Sequence, residues 1–382
     1  MKIMYIGQMI GGLDIYIRNA ITNCKDDSIE FVLVCGKKDQ HKPVIRNGKA
    51  VRERRVSLYR NLNPFYDLIG FFQVLLCVWQ EKPDIIHCHS AKGGIFGRLA
   101  GGITGTKTFF TAHAFSFLCT SSHLKRQIYL CLERWTKMNA YLLACSESER
   151  QMGIKEVKYR ESHALLWHNS VPDASLSLKE TEETKVPKAP YICYVGRPCY
   201  QKNTLFITNV MKRIKEMGYP LKLELLGVGY YSSELSRLKD KIKNDGLEDT
   251  IILKHWISHE ECLQIVKKSM FYVSTSRYEG LPLSVIEAMS LGKAIIASEV
   301  VGNRDCVSNN VNGYLLPLDV NTYAEKIISL WQDEKKRKEF ETKSRELFLS
   351  NFCIDTQIEK LYDIYRDEYS NSEPEHLCPT VK

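Results

Sequence analysis

The sequence predicts an α/β protein built from two doubly wound, Rossmann-like domains, and three observations carry that expectation. β-Branched apolar runs alternate with helical spacing along the chain, which implies parallel sheets joined by crossover helices. The alternation breaks once, in a stretch from 176 to 190 rich in Ser, Glu, Thr, Lys and Pro, and then restarts. The 382 residues are also enough for two cores of ordinary size. The expected division is 1–175, a linker at 176–190, and 191–354, with a helix at about 355–370 completing the first domain and a disordered tail at 371–382.

Within the first half, Lys2–Gln8 reads as a strand, its apolar run being too short for a signal peptide, so export is not expected. Gly11-Gly12-Leu13-Asp14 then opens a helix, and its glycines suit either a plain tight turn or the close approach of a diphosphate. Further strands are expected at Glu30–Cys35, near Val51–Leu58, and at Asp84–Ser90, Lys107–His113, Tyr141–Cys145 and Ala164–Trp167. Ligands of such sheets gather at the carboxyl ends of the strands. That rule singles out His89-Ser90-Ala91-Lys92-Gly93-Gly94 and Thr111-Ala112-His113-Ala114-Phe115. His87 and His89 share one strand face and Cys88 takes the other, with no further ligand nearby, so no metal is expected there.

The second half restarts with the strand Tyr191–Val195, followed by Gly196-Arg197 and Gln201-Lys202, which place two cations near a strand end. Lys222–Leu226 leads into Gly227-Val228-Gly229, a glycine pair without the third glycine of a dinucleotide fingerprint. Thr250–His255, a helix from Glu260 to Lys268 and the strand Met270–Thr275 come next. The turn and helix after that strand carry Glu279 and Glu287, and Leu283 and Ser284 open the helix, whose amides suit a phosphate. Ser284-Val-Ile-Glu287 also fits a capping box, in which the glutamate caps its own helix. Ala294–Ser298, Gly302–Asp305 and Asn312–Tyr314 complete the run, and a last helix is expected from about Asp355 to Tyr369.

Composition narrows the function classes. At 44% hydrophobic and 26% charged the chain has the make-up of a globular enzyme. Thirteen scattered cysteines without a Cys-x-x-Cys pair read as reduced thiols, not as a disulfide framework. Residues 1–175 hold 24 Lys+Arg against 15 Asp+Glu, whereas the remainder holds 29 against 30, so the whole excess of +8 comes from the first half. Such a half suits nucleic acid or an anionic membrane, and no nucleic-acid motif is present. Phe65–Trp79, the most apolar run, is shorter than the ~20 residues of a spanning helix and contains Asp67 and Gln73. A buried helix explains it, but not the flank Arg52, Arg54, Arg55 and Arg60. Lys125, Arg126, Arg134 and Lys137, set among apolar residues in 123–137, are expected to face an anionic membrane surface.

The string Glu279, seven residues, Glu287, with Gly-Leu-Pro after the first glutamate and Ala288 after the second, resembles the signature of the family 4 retaining glycosyltransferases. The resemblance spans nearly the whole chain and is strongest from Tyr191 to Leu318. It implies a GT-B fold in which Glu279 holds donor-sugar hydroxyls and Glu287 the ribose. The Leu283–Ser284 amides, Arg197, Lys202 and Gly12 would take the diphosphate, without a metal cofactor. His113 would face the donor sugar and the reacting centre, with Ala114 replacing the glycine of the family's histidine-glycine-phenylalanine pattern. Asn169-Ser-Val-Pro-Asp173 resembles the element that closes the first domain, departing at Ser170 and Pro172. Trp256 lies where the family lays its base, for stacking or as a core residue.

The pattern of the first half looks most like bacterial capsule, exopolysaccharide and O-antigen enzymes. It implies a UDP-sugar donor and a lipid-linked saccharide acceptor, on the cytoplasmic face of the plasma membrane. Competing readings are a soluble acceptor, a nucleotide-binding oxidoreductase or a catalytically silent GT-B partner subunit. The chain has no Asp-x-Asp motif of the metal-dependent GT-A type.

Overall fold

The computed structural model describes residues 1–178, 190–229, 232–255 and 257–370. The first domain runs β1 (Lys2–Ile6), α1 (Gly12–Thr22), β2 (Glu30–Gly36), β3 (Ile45–Arg46), β4 (Lys49–Ala50), β5 (Arg52–Val56), α2 (Pro64–Glu81), β6 (Ile85–His89), α3 (Ala91–Thr104), β7 (Lys107–Thr111), α4 (His123–Thr136), β8 (Tyr141–Ala144), α5 (Glu147–Met152) and β9 (Ala164–Leu166). After α6 (Ala174–Ser177) the second domain runs β10 (Tyr191–Val195), α7 (Thr204–Glu216), β11 (Lys222–Val228), α8 (Leu235–Asn244), β12 (Ile251–His255), α9 (His259–Lys268), β13 (Tyr272–Ser274), α10 (Leu283–Ser290), β14 (Ile295–Ser298), α11 (Asn303–Cys306) and β15 (Gly313–Leu316). Three helices follow, α12 (Val320–Gln332), α13 (Glu334–Asn351) and α14 (Ile354–Ser370).

Both sheets are parallel, in the orders β5-β2-β1-β6-β7-β8-β9 and β12-β11-β10-β13-β14-β15. Strand order reverses between β1 and β6 in one sheet and between β10 and β13 in the other. A crevice opens at each such switch point. The residues just beyond those four strands include Gly12, Arg197 and Glu279, with His89 ending β6 itself.

The inner strands of both sheets are largely apolar and buried because both faces are covered, whereas the edge strand β5 is mostly charged. On one face of the first sheet lie α2, α3 and α4, through Val74, Val78, Phe96, Ala100 and Leu130. The other face is covered by Tyr16 and Ile17 of α1 and by Ile358, Leu361, Tyr362 and Tyr365 of α14. The last helix therefore packs on the first sheet, and Tyr362 donates to the Ala20 carbonyl at 2.7 Å. That helix follows a bridge between Val171 and Cys353.

One feature of the basic flank has a structural cause. Glu81, at the end of α2, is buried and accepts from Arg52 at 2.9 Å and from Arg54 at 2.8 Å, which holds its carboxyl below the usual range against burial. Arg55 pairs with Glu53. The short hairpin β3–β4 was not expected from the sequence, although Asn47-Gly48 at its turn is the dipeptide such turns favour. Both residues take positive φ, 50° and 74°. Most of the linker and all of the tail lie outside the described residues.

Candidate active site

The second domain supplies a carboxylate fixed in advance. Glu279 is buried, and its Oε1 accepts from Lys202 Nζ at 2.7 Å and Ser276 Oγ at 2.6 Å, while Oε2 accepts from Gln201 Nε2 at 3.1 Å. An ionised carboxylate with three donors loses little freedom when a sugar hydroxyl arrives. Lys202 is thus tied to Glu279. Among the described residues the Arg197 guanidinium, at the end of β10, has no such partner.

Glu287 does not cap its own helix. The residue before α10 is Pro282, with no side-chain cap, and Glu287 Oε1 instead meets His259 Nε2 at 2.8 Å. That hydrogen bond raises the His259 pKa. The capping box of this region belongs to α9, where Ser258 and Glu261 exchange both bonds. Leu283 and Ser284 are the first two residues of α10, so their N–H groups have no intrahelical partner and face outward with the positive end of the dipole.

The first domain supplies a strained loop after β7. His113 and Ala114 both adopt positive φ, 51° and 80°. Ala114 therefore keeps the left-handed backbone that a glycine would take freely, at a cost of about 1–2 kcal/mol. Glu149 holds that backbone in place: its Oε1 accepts from Ala114 N at 2.8 Å and its Oε2 from Cys145 N at 2.9 Å. Burial raises the Glu149 pKa.

His113 Nε2 stands 3.2 Å from His89 Nδ1, and the edge of the Tyr16 ring packs on His113. Burial pushes the His113 pKa down to about 3, so the imidazole is neutral near pH 7 and donates or accepts without charge. His87 is structural. Its Nε2 donates to Thr111 Oγ1 at 2.8 Å, because that hydroxyl is spent on the Leu143 carbonyl, and its Nδ1 accepts from Tyr365 at 2.6 Å. Cys88 points to the opposite face of the sheet, as the alternation requires.

The two halves meet at this point. A Cβ on Gly280 would stand 2.7 Å from Ala114 N and 2.8 Å from the His113 carbonyl carbon, so the turn bearing Glu279 and the loop bearing His113 touch only because residue 280 is bare. Ser146 Oγ donates to the Gly280 carbonyl at 2.8 Å, and Asn169 Nδ2 to the Leu281 carbonyl at 2.8 Å. Gly12 faces Leu283, with 3.6 Å from its would-be Cβ to Leu283 Cδ1. Asp173 caps α6 and pairs with Arg345 of α13.

Glu149, His259 and Ser146 escaped the sequence reading. Ser146-x-x-Glu149 directly after a strand is a capping pattern that could have pointed to two of them. Nothing local marks His259, which becomes relevant only through α10. Trp256 lies outside the described residues. Of the four cations placed at a membrane, Arg126 holds both Glu156 oxygens at 2.9 Å, Arg134 donates to the Glu156 carbonyl and Lys137 to that of Lys158. They brace the turn at 153–158, and Lys125 remains exposed.

Two facing Rossmann-like domains, with a fixed carboxylate, an open arginine and a helix N-terminus on one side and a neutral histidine on the other, define a GT-B enzyme. Residues 11–152 match the glycosyl transferase 4-like domain and residues 178–347 the glycosyl transferases group 1 family. The chain belongs to these glycosyltransferases. It is 27% identical over 327 residues to the Escherichia coli UDP-Gal:alpha-D-GlcNAc-diphosphoundecaprenol alpha-1,3-galactosyltransferase, covering 82% of this chain and 83% of that one. Sucrose-phosphate synthase from Thermosynechococcus elongatus shares the fold at a TM-score of 0.82, with 20% identity over 97% of this chain and 100% of that one. Anabaena HepE in complex with UDP-glucose does so at 0.74, with 15% identity over 96% and 100%.

Proposed function

We propose that the chain is a retaining glycosyltransferase that moves a sugar from a UDP-linked donor to a lipid-linked saccharide in bacterial surface polysaccharide assembly. The observation that carries the reading is the contact of the Glu279–Gly280 turn with the His113–Ala114 loop. It sets the turn that bears the group assigned to the donor sugar against the loop that bears the group assigned to the reacting centre. Arg197, Lys202 and the α10 amides meet the charge that develops on the leaving diphosphate, in place of a metal. The E. coli relative, whose name specifies a UDP-sugar and a diphosphoundecaprenol acceptor, supports the choice of substrates.

The same reading places the first domain against the cytoplasmic leaflet. No described helix is long and apolar enough to cross a membrane. Phe65, Leu68, Phe72, Leu76 and Trp79 instead form one exposed stripe along α2, and Leu124, Ile128 and Trp135 a second along α4. Both helices belong to the layer on one side of the sheet, so both stripes can lie on one bilayer surface.

The test is a thermal-shift panel of UDP, GDP and their sugar conjugates, then transfer to a synthetic lipid-diphosphate saccharide with the product anomer read by NMR. A ligand at 100 times its dissociation constant adds about 2.7 kcal/mol. Stabilisation by GDP alone would overturn the donor, an inverted anomer the mechanism, and transfer only to soluble sugars the acceptor.

A further inference from the structure

Outside the cleft, one group of side chains is arranged like a metal site. Cys35 is the last residue but one of β2, Glu53 lies on the neighbouring β5, and His41 comes from the loop between β2 and β3; the Cys35 Sγ, a His41 ring nitrogen and a Glu53 oxygen all lie within 4.8 Å of one another. None of these elements carries a residue assigned to the donor. The cluster arises because parallel pairing sets Cys35 opposite Arg55 and Leu33 opposite Glu53, which leaves Cys35 and Glu53 as diagonal neighbours.

His41 supplies the second observation. Its side chain is only 1% exposed. Nδ1 lies 3.0 Å from the Lys42 carbonyl, an oxygen that can only accept, so the proton of a neutral ring sits on Nδ1. Nε2 is buried, without a hydrogen-bond partner, and 3.5 Å from Glu53 Oε2. Nε2 facing a carboxylate oxygen beside a thiol calls for a positive charge between them, either a proton on the ring or a cation held by all three side chains. The other Glu53 oxygen is held by Arg55 Nε at 2.5 Å, which orients the carboxylate as an outer partner of a metal site does.

We propose that Cys35, His41 and Glu53 bind a divalent zinc-like cation that fastens the 37–44 loop to the edge of the first sheet. Bond lengths of about 2.0–2.3 Å at a tetrahedral centre put neighbouring ligand atoms about 3.3–3.8 Å apart, and the 3.5 Å from His41 to Glu53 meets that spacing. One thiolate, one imidazole and one carboxylate suit zinc better than magnesium or calcium. The fourth position is left for water. On binding, Cys35 gives its thiol proton to solvent, so uptake of the cation releases a proton. The loop so fastened also carries Asp39, whose Oδ2 accepts from Met9 N at 2.8 Å just after β1.

The probe is Co2+ added to the metal-stripped full chain, followed by optical spectroscopy and competition with Zn2+. One saturating equivalent is expected, with an intense near-ultraviolet thiolate-to-cobalt band that Zn2+ removes. Cys35→Ser should abolish that band, and His41→Ala and Glu53→Gln should each weaken binding by more than about tenfold, the scale on which even outer partners act. Cys119→Ser, at an exposed thiol, serves as the control and should change nothing. Circular dichroism of each variant separates loss of the site from loss of the fold. A band that persists in folded Cys35→Ser, or loading without a one-equivalent end point, would overturn the proposal. No loading of the parent chain would leave His41 and Glu53 as an ion pair only.

Discussion

At the scale of single residues the cleft separates groups of like type by what surrounds them. Glu279 is clamped by Lys202, Ser276 and Gln201, whereas Glu287 meets His259 among the described residues. Glu287→Ala should therefore weaken binding of free UDP, while Glu279→Ala should leave UDP binding in place and depress transfer by about 2.7–4 kcal/mol of barrier. Calorimetry showing equal loss of UDP affinity in both variants would sink this division. Ala114 gives a prediction of opposite sign. Because it is held at a φ of 80°, Ala114→Gly should stabilise the fold by about 1 kcal/mol, the relief of backbone strain outweighing the entropy added to the unfolded chain. A lower denaturation midpoint for that variant would show that the loop stores no strain.

At the scale of elements, α2 and α4 decide how the first domain would meet a bilayer. The sequence pointed to cations and so to anionic lipid. In the fold, Arg52 and Arg54 serve Glu81, and Arg126 serves Glu156, while the apolar stripes stay exposed. Attachment should then rest chiefly on apolar burial, with a smaller electrostatic part. Flotation is expected with neutral as well as anionic liposomes, largely retained in high salt, and cut severalfold by Phe72→Ser with Trp135→Ser. Binding that vanishes in salt, or is indifferent to both substitutions, would contradict it.

At the scale of the whole molecule, α14 joins the ends of the chain. Tyr365 reaches His87 and Tyr362 reaches Ala20, so the last described helix completes the core under the histidine row. Removing residues from 354 onward would expose the faces of Tyr5, Phe31 and Phe109. The truncated chain should lose the cooperative unfolding of its first domain, while the second still responds to UDP in thermal shift. A truncated chain that unfolds in one transition like the parent would show that α14 is dispensable. Acid should strike the same region. The pKa of His113 is depressed to about 3, and those of His87 and His89 are also lowered by burial. Each unfolded histidine binds a proton below about pH 6.5 while the folded one does not, so stability is expected to fall as pH drops from there toward 3. A melting temperature that is flat across that window would contradict the burial of the row.

What the sequence determined by itself was the periodic part of the protein: the strands, the two parallel sheets and the glutamate pair at Glu279 and Glu287. Each is written in local spacing, with period 2 or 3.6 or a fixed interval after a strand, and local spacing survives without knowledge of the fold. The tertiary structure decided which partner each charge takes. Ser284-x-x-Glu287 and Ser258-x-x-Glu261 are the same capping pattern, yet only the second caps, because α10 starts at Leu283 and takes Ser284 inside the helix, leaving Glu287 to meet His259. The arginines of β5 read as a surface until Glu81 is placed against them. The contact of Gly280 with His113 and Ala114 joins residues about 165 positions apart, where no periodicity connects them. Pairings across such separations depend on how sheets stack and domains close, and that information resides in packing and not in any one segment of chain.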